Sequence, residues 1–268
     1  MKITILYSGG LDSRILYHYA ITKYSDAEVS CIYYRHGAES EAAELALLPD
    51  FVQIRTVEWL SDEIRPLAKT SDPFATAIYI PGRNLVFACL AASQELSDEI
   101  WMGTMYDEDN EQATDKNEFF RSKTSELLTY VLSPFKEKVI LRFPFVEEEF
   151  TKLDAIEWAL ENGLSKDDIK RTTSCWHNIE GIPCGICKQC LKRFLIFEIL
   201  GIREEYKIRP SESPEQQERL RQYVKKYRDG TCNIDERTVV ELYIKAIKAN
   251  VLRLRSASVI RRATGFMK

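Results

Sequence analysis

The chain has 268 residues, of which 45% are hydrophobic and 29% charged, so a packed core is attainable and wholesale disorder is excluded. Lys and Arg total 37 against 41 Asp and Glu, a formal charge of -4 that rules out a globally basic nucleic-acid coat. The apolar run from Leu85 to Ala92 is too short to cross a bilayer, and the first residues read as a strand, with no secretory signal. Of seven cysteines, four crowd between positions 175 and 190, which points to metal binding in a reducing cytoplasm.

In chain order, Ile3 to Tyr7 reads as a buried strand, followed by a helix with Leu11, Ile15, Leu16 and Tyr19 on one face. Val29 to Tyr34 is a second strand, Ser40 to Leu48 a helix, and Phe51 to Val57 a third strand. Past a looser stretch come a helix from Asn84 to Gln94, a strand from Glu99 to Gly103 and a helix from Glu118 to Leu132. Val139 to Phe143 is a fifth strand and Lys152 to Glu161 a further helix. Strands separated by helices imply an α/β fold, a five-stranded, mostly parallel sheet with helices on both faces.

The texture changes near Arg171, where the cysteines lie in a loop containing Gly, Pro and Thr. Helix returns from Leu191 to Leu200, a linker from Lys207 to Glu215, then helices from Glu215 to Arg228 and Glu236 to Leu254. The expected organisation is a nucleotide-binding domain over 1–170, a knuckle subdomain over 171–201 and a helical extension over 202–268. From Leu242 to Lys268 there are seven basic residues and no acidic one, which suits a solvated helical face as well as contact with RNA or a protein partner.

Tyr7-Ser8-Gly9-Gly10-Leu11-Asp12-Ser13 joins the first strand to the first helix, where parallel sheets place anionic ligands. Paired glycines bring backbone N–H groups against phosphate oxygens, and Ser8 and Ser13 can add hydroxyls. Asp12 suits such a loop if Mg²⁺ lies between it and the phosphates; otherwise it is a first-turn capping acid. Pro81-Gly82-Arg83-Asn84 opens a helix, and Lys152 stands in a capping-box-like start, Thr151-Lys152-Leu153-Asp154. Cys175, Cys184, Cys187 and Cys190 leave gaps of eight, two and two residues, suited to a closed tetrahedral Zn²⁺ site, with an iron–sulfur cluster or a redox pair as rivals. Cys31 and Cys89 read as small core residues.

The loop resembles the SGGxDS loop of the PP-loop ATP pyrophosphatases. Together with Pro-Gly-Arg-Asn and the cysteine knuckle, the set from Lys2 to Gly201 resembles the 7-cyano-7-deazaguanine synthase (QueC) family. Arg35-His36 followed by Glu39 is similar to that family's Arg-His-x-x-Glu, and Glu118-Phe119 to its Glu-Phe beyond Gly103. Two segments depart from the pattern. Ile32-Tyr33-Tyr34 stands for Tyr-Gly-Gln, and the stretch from Asn110 to Lys116 stands for Ser-Gly-Tyr-Pro-Asp-Cys-Arg.

The resemblance implies an ATP-dependent, AMP-forming carbon–nitrogen ligase that turns 7-carboxy-7-deazaguanine and ammonia into 7-cyano-7-deazaguanine. It assigns Ser8, Gly9, Gly10, Leu11, Asp12, Ser13, Arg83 and Asn84 to ATP and Mg²⁺, with Asp12, Arg83 and Lys152 as catalytic groups. Arg35, His36, Glu39 and an acid from Asp107, Glu108 and Asp109, with Asp107 the first choice, would contact substrate, and the four cysteines would bind structural zinc. A cytoplasmic homodimer is the expectation. The alternatives are a relative joining the acid to an amine of a protein or other macromolecule, a tRNA-modifying enzyme of the same superfamily, and a non-catalytic nucleotide-binding partner.

Overall fold

The computed structural model describes residues 1–35, 37, 41–57, 82–108, 114–175, 177 and 181–249. They form two compact units, Met1–Thr173 and a second that begins at Ser174.

The first unit is built on a parallel sheet of five strands: β1 (Lys2–Leu6), β2 (Glu28–Arg35), β3 (Val52–Thr56), β4 (Glu99–Trp101) and β5 (Ile140–Arg142). Their order is β3-β2-β1-β4-β5, with Ile5 beside Cys31 on one side and Trp101 on the other. The order reverses between β1 and β4, and such a switch point opens a crevice beyond the strand ends.

Neighbouring strand residues face opposite sides, so Ile100 and Trp101 identify two buried faces. Ile100 packs with Ala88, Ala91 and Ala92 of α3 (Arg83–Glu95) and Leu128 and Leu132 of α4 (Glu118–Leu132). Trp101 meets Tyr19 of α1 (Leu11–Lys23) and Tyr24, while Tyr19 also touches Trp158 of α6 (Lys152–Glu161). The sequence expectation of helices on both faces holds.

Some boundaries move for local reasons. The sequence pattern predicts β4 through Gly103, but the strand ends at Trp101. β5 loses Val139, whose N–H donates to Thr129 Oγ1 and whose carbonyl accepts from it, and Phe143, which caps the short α5 (Pro144–Glu147). The second helix shortens to α2 (Glu41–Leu45), with 3-10-like bonds closing the turn to Leu48. Two short helices escaped the sequence reading, α5 and α7 (Lys166–Lys170); α7 carries a Ser165–Asp168 capping box.

The second unit contains α8 (Lys188–Leu200), α9 (Pro214–Arg228) and α10 (Ile234–Lys248). α9 begins at Pro214 because Ser213 caps it and proline suits the first helical position. α10 begins two residues before the expected Glu236, with Asn233 and Glu236 forming its capping box. The basic stretch beyond residue 249 lies outside the described residues, as do His36, Glu39 and positions 109–113. No helix among the described residues is long and apolar enough to cross a membrane.

Candidate functional site

At the switch point the loop after β1 closes on itself. Ser13 Oγ donates to Gly10 O at 3.0 Å and accepts from Ser8 N–H at 3.2 Å, while Gly10 N–H donates to Ser8 Oγ at 3.3 Å. Gly9 takes the left-handed φ of 72°, and a Cβ there would lie 3.1 Å from Glu44 O. Thr173 pairs with Gly10 in a parallel bridge, so the segment ahead of the cysteines braces the loop. Leu11 is buried beneath the loop, and Gly10 caps α1 with its positive helix end facing the crevice.

Two residues far apart in sequence meet here. Lys152 Nζ lies 3.0 Å from Asp12 Oδ2; the lysine side chain is 5% exposed and the aspartate 29%. Lys152 is the first residue of α6, set by the capping box of Thr151 and Asp154. Gly103, just beyond β4, lies against the Asp12 backbone, where a Cβ would stand 3.1 Å from Asp12 C.

A second cluster lines the β4 side. Asn84, buried in the first turn of α3, donates through Nδ2 to Asp115 Oδ2 at 3.0 Å and to its carbonyl at 3.3 Å. Lys116 Nζ stands 3.5 Å from Glu108 Oε2, and its pKa is raised first by Glu108, with Asp115 and Asp12 adding to the effect. This ammonium therefore stays charged close to Asp12. Asp107 is buried in a 3-10 turn over Tyr106–Glu108, and Tyr106 N–H bonds Phe150 O, tying the turn to the segment that leads into Lys152.

The remaining expected residues are not gathered in. Arg83 opens α3 but makes no hydrogen bond or ion pair with the described residues. Arg35 is held by Glu41, Nη2 to Oε1 at 3.0 Å, and Gly37 N–H donates to the same carboxylate at 2.8 Å. Tyr33, where the resembling family has glycine, is buried and donates to Glu44 Oε2 at 2.7 Å. Sequence reasoning marks Asp115 and Lys116 only as part of a stretch that departs from the family pattern and gives Glu41 and Glu44 no role, because each is meaningful only through a partner brought near by folding. Burial raises the thiols of Cys31, which is buried, and of Cys89, which is half-buried against the core.

In the second unit the sulfurs of Cys175, Cys184, Cys187 and Cys190 all lie within 4.8 Å of one another, and all four residues are buried. Cys184 and Cys190 sulfurs are 3.8 Å apart. Backbone N–H groups of His177 and Cys184 point at Cys175 Sγ at 3.4 and 3.3 Å, the orientation that stabilises a thiolate. Gly185 takes φ of 80°, and a Cβ there would fall 1.6 Å from Ile208 O, so no side chain fits. The donor set fits a metal ion.

The model of the family described as Queuosine biosynthesis protein QueC matches residues 2–201. The chain belongs to the QueC family. Its QueC relatives include the 7-cyano-7-deazaguanine synthase of a Nitratiruptor species, 25% identical over 224 residues, covering 76% of this chain and 97% of that one. The 7-cyano-7-deazaguanine synthase of Archaeoglobus fulgidus is 25% identical over 222 residues, covering 76% and 89%. A solved U34-tRNA thiolase NcsA from Methanococcus maripaludis, with its [4Fe-4S] cluster, aligns over 96% of this chain and 76% of its own at 12% identity and a TM-score of 0.34. Residues 202–268 lie outside the QueC match.

Proposed function

We propose that this QueC-family chain is an ATP-dependent, AMP-forming synthase converting 7-carboxy-7-deazaguanine and ammonia into 7-cyano-7-deazaguanine. The observation that carries the reading is the Asp12–Lys152 pair beside the Ser8–Ser13 loop at the switch point. A substrate carboxylate attacks the α phosphorus of ATP, and pyrophosphate leaves. Ammonia then attacks the acyl carbon, AMP departs and an amide remains. The amide oxygen attacks the α phosphorus of a second ATP, pyrophosphate leaves again, and loss of AMP with two N–H protons gives the nitrile.

In this reading the loop N–H groups and the Ser8 and Ser13 hydroxyls grip the β and γ phosphates. Lys152, already buried and fixed by its capping box, meets the charge that develops on pyrophosphate without reorganising. Arg83 at the start of α3 adds a second cation, and Lys116 supplies an ammonium for the substrate carboxylate. Asp12 is the carboxylate suited to Mg²⁺ entering with ATP, which would neutralise the phosphates. Arg35, His36, Glu39 and Asp107 remain the proposed substrate contacts.

The sulfur spacing supports a single zinc ion at the four cysteines. A tetrahedron with metal–sulfur bonds of about 2.3 Å has edges of about 3.8 Å, the separation found between Cys184 and Cys190. Thiolates on the separate irons of a cluster stand further apart.

A second reading is favoured by one feature: the 110–116 stretch departs from the family pattern, and its Asp115 and Lys116 are engaged with Asn84 and Glu108. There the reaction stops at the amide, and the amine comes from a protein or other macromolecule. Mass spectrometry of products from ATP, 7-carboxy-7-deazaguanine and ammonia separates the two. A nitrile supports the synthase, a persistent amide the second reading, and no ATP-dependent product overturns both.

A further inference from the structure

The knuckle of the metal site is held by residues that the QueC match does not include. Each carbonyl from Pro183 to Cys187 is taken by a donor from the segment 207–219. Lys207 N–H donates to Pro183 O at 2.9 Å, and Ile208 N–H to Cys184 O at 3.3 Å. Gln216 Nε2 donates to Gly185 O at 3.0 Å and to Cys187 O at 2.7 Å. Arg219 Nη1 donates to Ile186 O at 2.9 Å and also to Gln216 Oε1.

Gln216 and Arg219 are 1% and 5% exposed, although both lie on an otherwise strongly polar helix. Burying an amide and a guanidinium is costly unless their hydrogen bonds are made. Here the bonds end on the short turn between two metal ligands. These donors hold the turn's carbonyls in place. Ser213, fully buried, caps α9 and sets the height at which Gln216 enters.

We infer that the C-terminal extension is a clamp on the metal knuckle, with Gln216 and Arg219 as positioning residues for the ligands Cys184 and Cys187. The inference rests on reading the four cysteines as a metal site. Outer hydrogen bonds that orient metal ligands change metal affinity by about 10- to 100-fold when removed. Linkage makes the effect reciprocal: metal at the cysteines stabilises α9 by the same factor by which α9 tightens metal.

The test uses the full chain loaded with cobalt, whose ligand-field and thiolate charge-transfer bands report coordination geometry, followed by chelator challenge. Gln216→Met, similar in length but without donors, is expected to perturb the bands and to release cobalt about 10- to 100-fold faster. Arg219→Lys, which keeps a donor, is expected to release cobalt more slowly than Arg219→Met. Arg221→Ala, exposed on the same helix and paired with Glu218, is expected to behave as wild type. A wild-type chain that holds no cobalt sinks the metal site and the clamp with it. Cobalt held by wild type but released at the same rate by Q216M sinks the clamp alone. If Q216M does not fold, hydrogen exchange of α9 in the wild type decides. Faster exchange after metal removal supports the clamp, and unchanged protection overturns it.

Discussion

Lys152 Nζ stands 3.0 Å from Asp12 Oδ2, joining the first turn of α6 to the first turn of α1 across the end of β1. The pair places a buried cation and a carboxylate of opposite duty beside one loop. In the proposed reaction the lysine serves the leaving pyrophosphate, so Lys152→Met is expected to slow pyrophosphate release by about 10²- to 10³-fold. Asp12→Asn, which keeps the shape and removes the charge, is expected to do likewise with native-like far-UV dichroism. Release at the wild-type rate in either variant removes that residue from the site.

Gly103 sets the position of Asp12. A methyl group there would stand 3.1 Å from Asp12 C, so the α1 start must shift by a few tenths of an ångström. Gly103→Ala is expected to lower the rate by about 10- to 100-fold, with a stability cost of about 1–3 kcal/mol. Parallel rate and urea-denaturation measurements check both; a rate unchanged from wild type contradicts the packing argument.

Much of the loop site and of the separate cysteine site was legible in the sequence, because their signals are local. The Ser8–Ser13 loop, the Thr151–Asp154 capping box and the four-cysteine spacing each lie within a short window of sequence. The rest is long-range. Asn84 and Asp115 are 31 positions apart, and nothing in either neighbourhood announces the bond. Gln216 and Arg219 read as ordinary surface residues of a polar helix until their burial against the knuckle is known. The strand pattern was legible because both faces of a parallel sheet are buried, whereas the packing of Gly103 on Asp12 just past β4 and the bonds of Val139 with Thr129 just ahead of β5 are long-range.

Tyr33 illustrates a departure that the fold has absorbed. Its ring is 1% exposed and its hydroxyl donates to Glu44, with burial and that carboxylate raising its pKa. Tyr33→Phe is expected to cost about 1.5–3 kcal/mol, the loss of a hydrogen bond to a charged group. Tyr33→Gly, which restores the residue of the resembling family, is expected to cost about 3–5 kcal/mol through the cavity it leaves. Equilibrium urea denaturation checks both, and a neutral glycine variant refutes the packing role.

At the opposite end of the sheet Asp98 ties β1 to the approach to β5. Hydrogen bonding from Lys136, then from the Lys2 backbone N–H, holds its carboxyl below the ordinary range. A carboxyl depressed in the folded state contributes stability above its unfolded pKa and loses it as pH falls through the folded value. Wild type is therefore expected to lose more stability than Asp98→Asn below about pH 4. Urea midpoints at pH 7 and pH 3 give the comparison; equal acid losses in the two proteins exclude this contribution. Asp98 is remote from the switch-point loop, so the variant is expected to keep its rate at neutral pH.

The most direct measurement follows the phosphorus. Full-length protein is incubated with ATP, 7-carboxy-7-deazaguanine and ammonia, and the nucleotide and phosphate products are separated by chromatography or resolved by phosphorus NMR. AMP and pyrophosphate are expected to accumulate in step with the modified base and to disappear when the acid is omitted. ADP and orthophosphate, or AMP formation that ignores the acid, would overturn the proposed reaction.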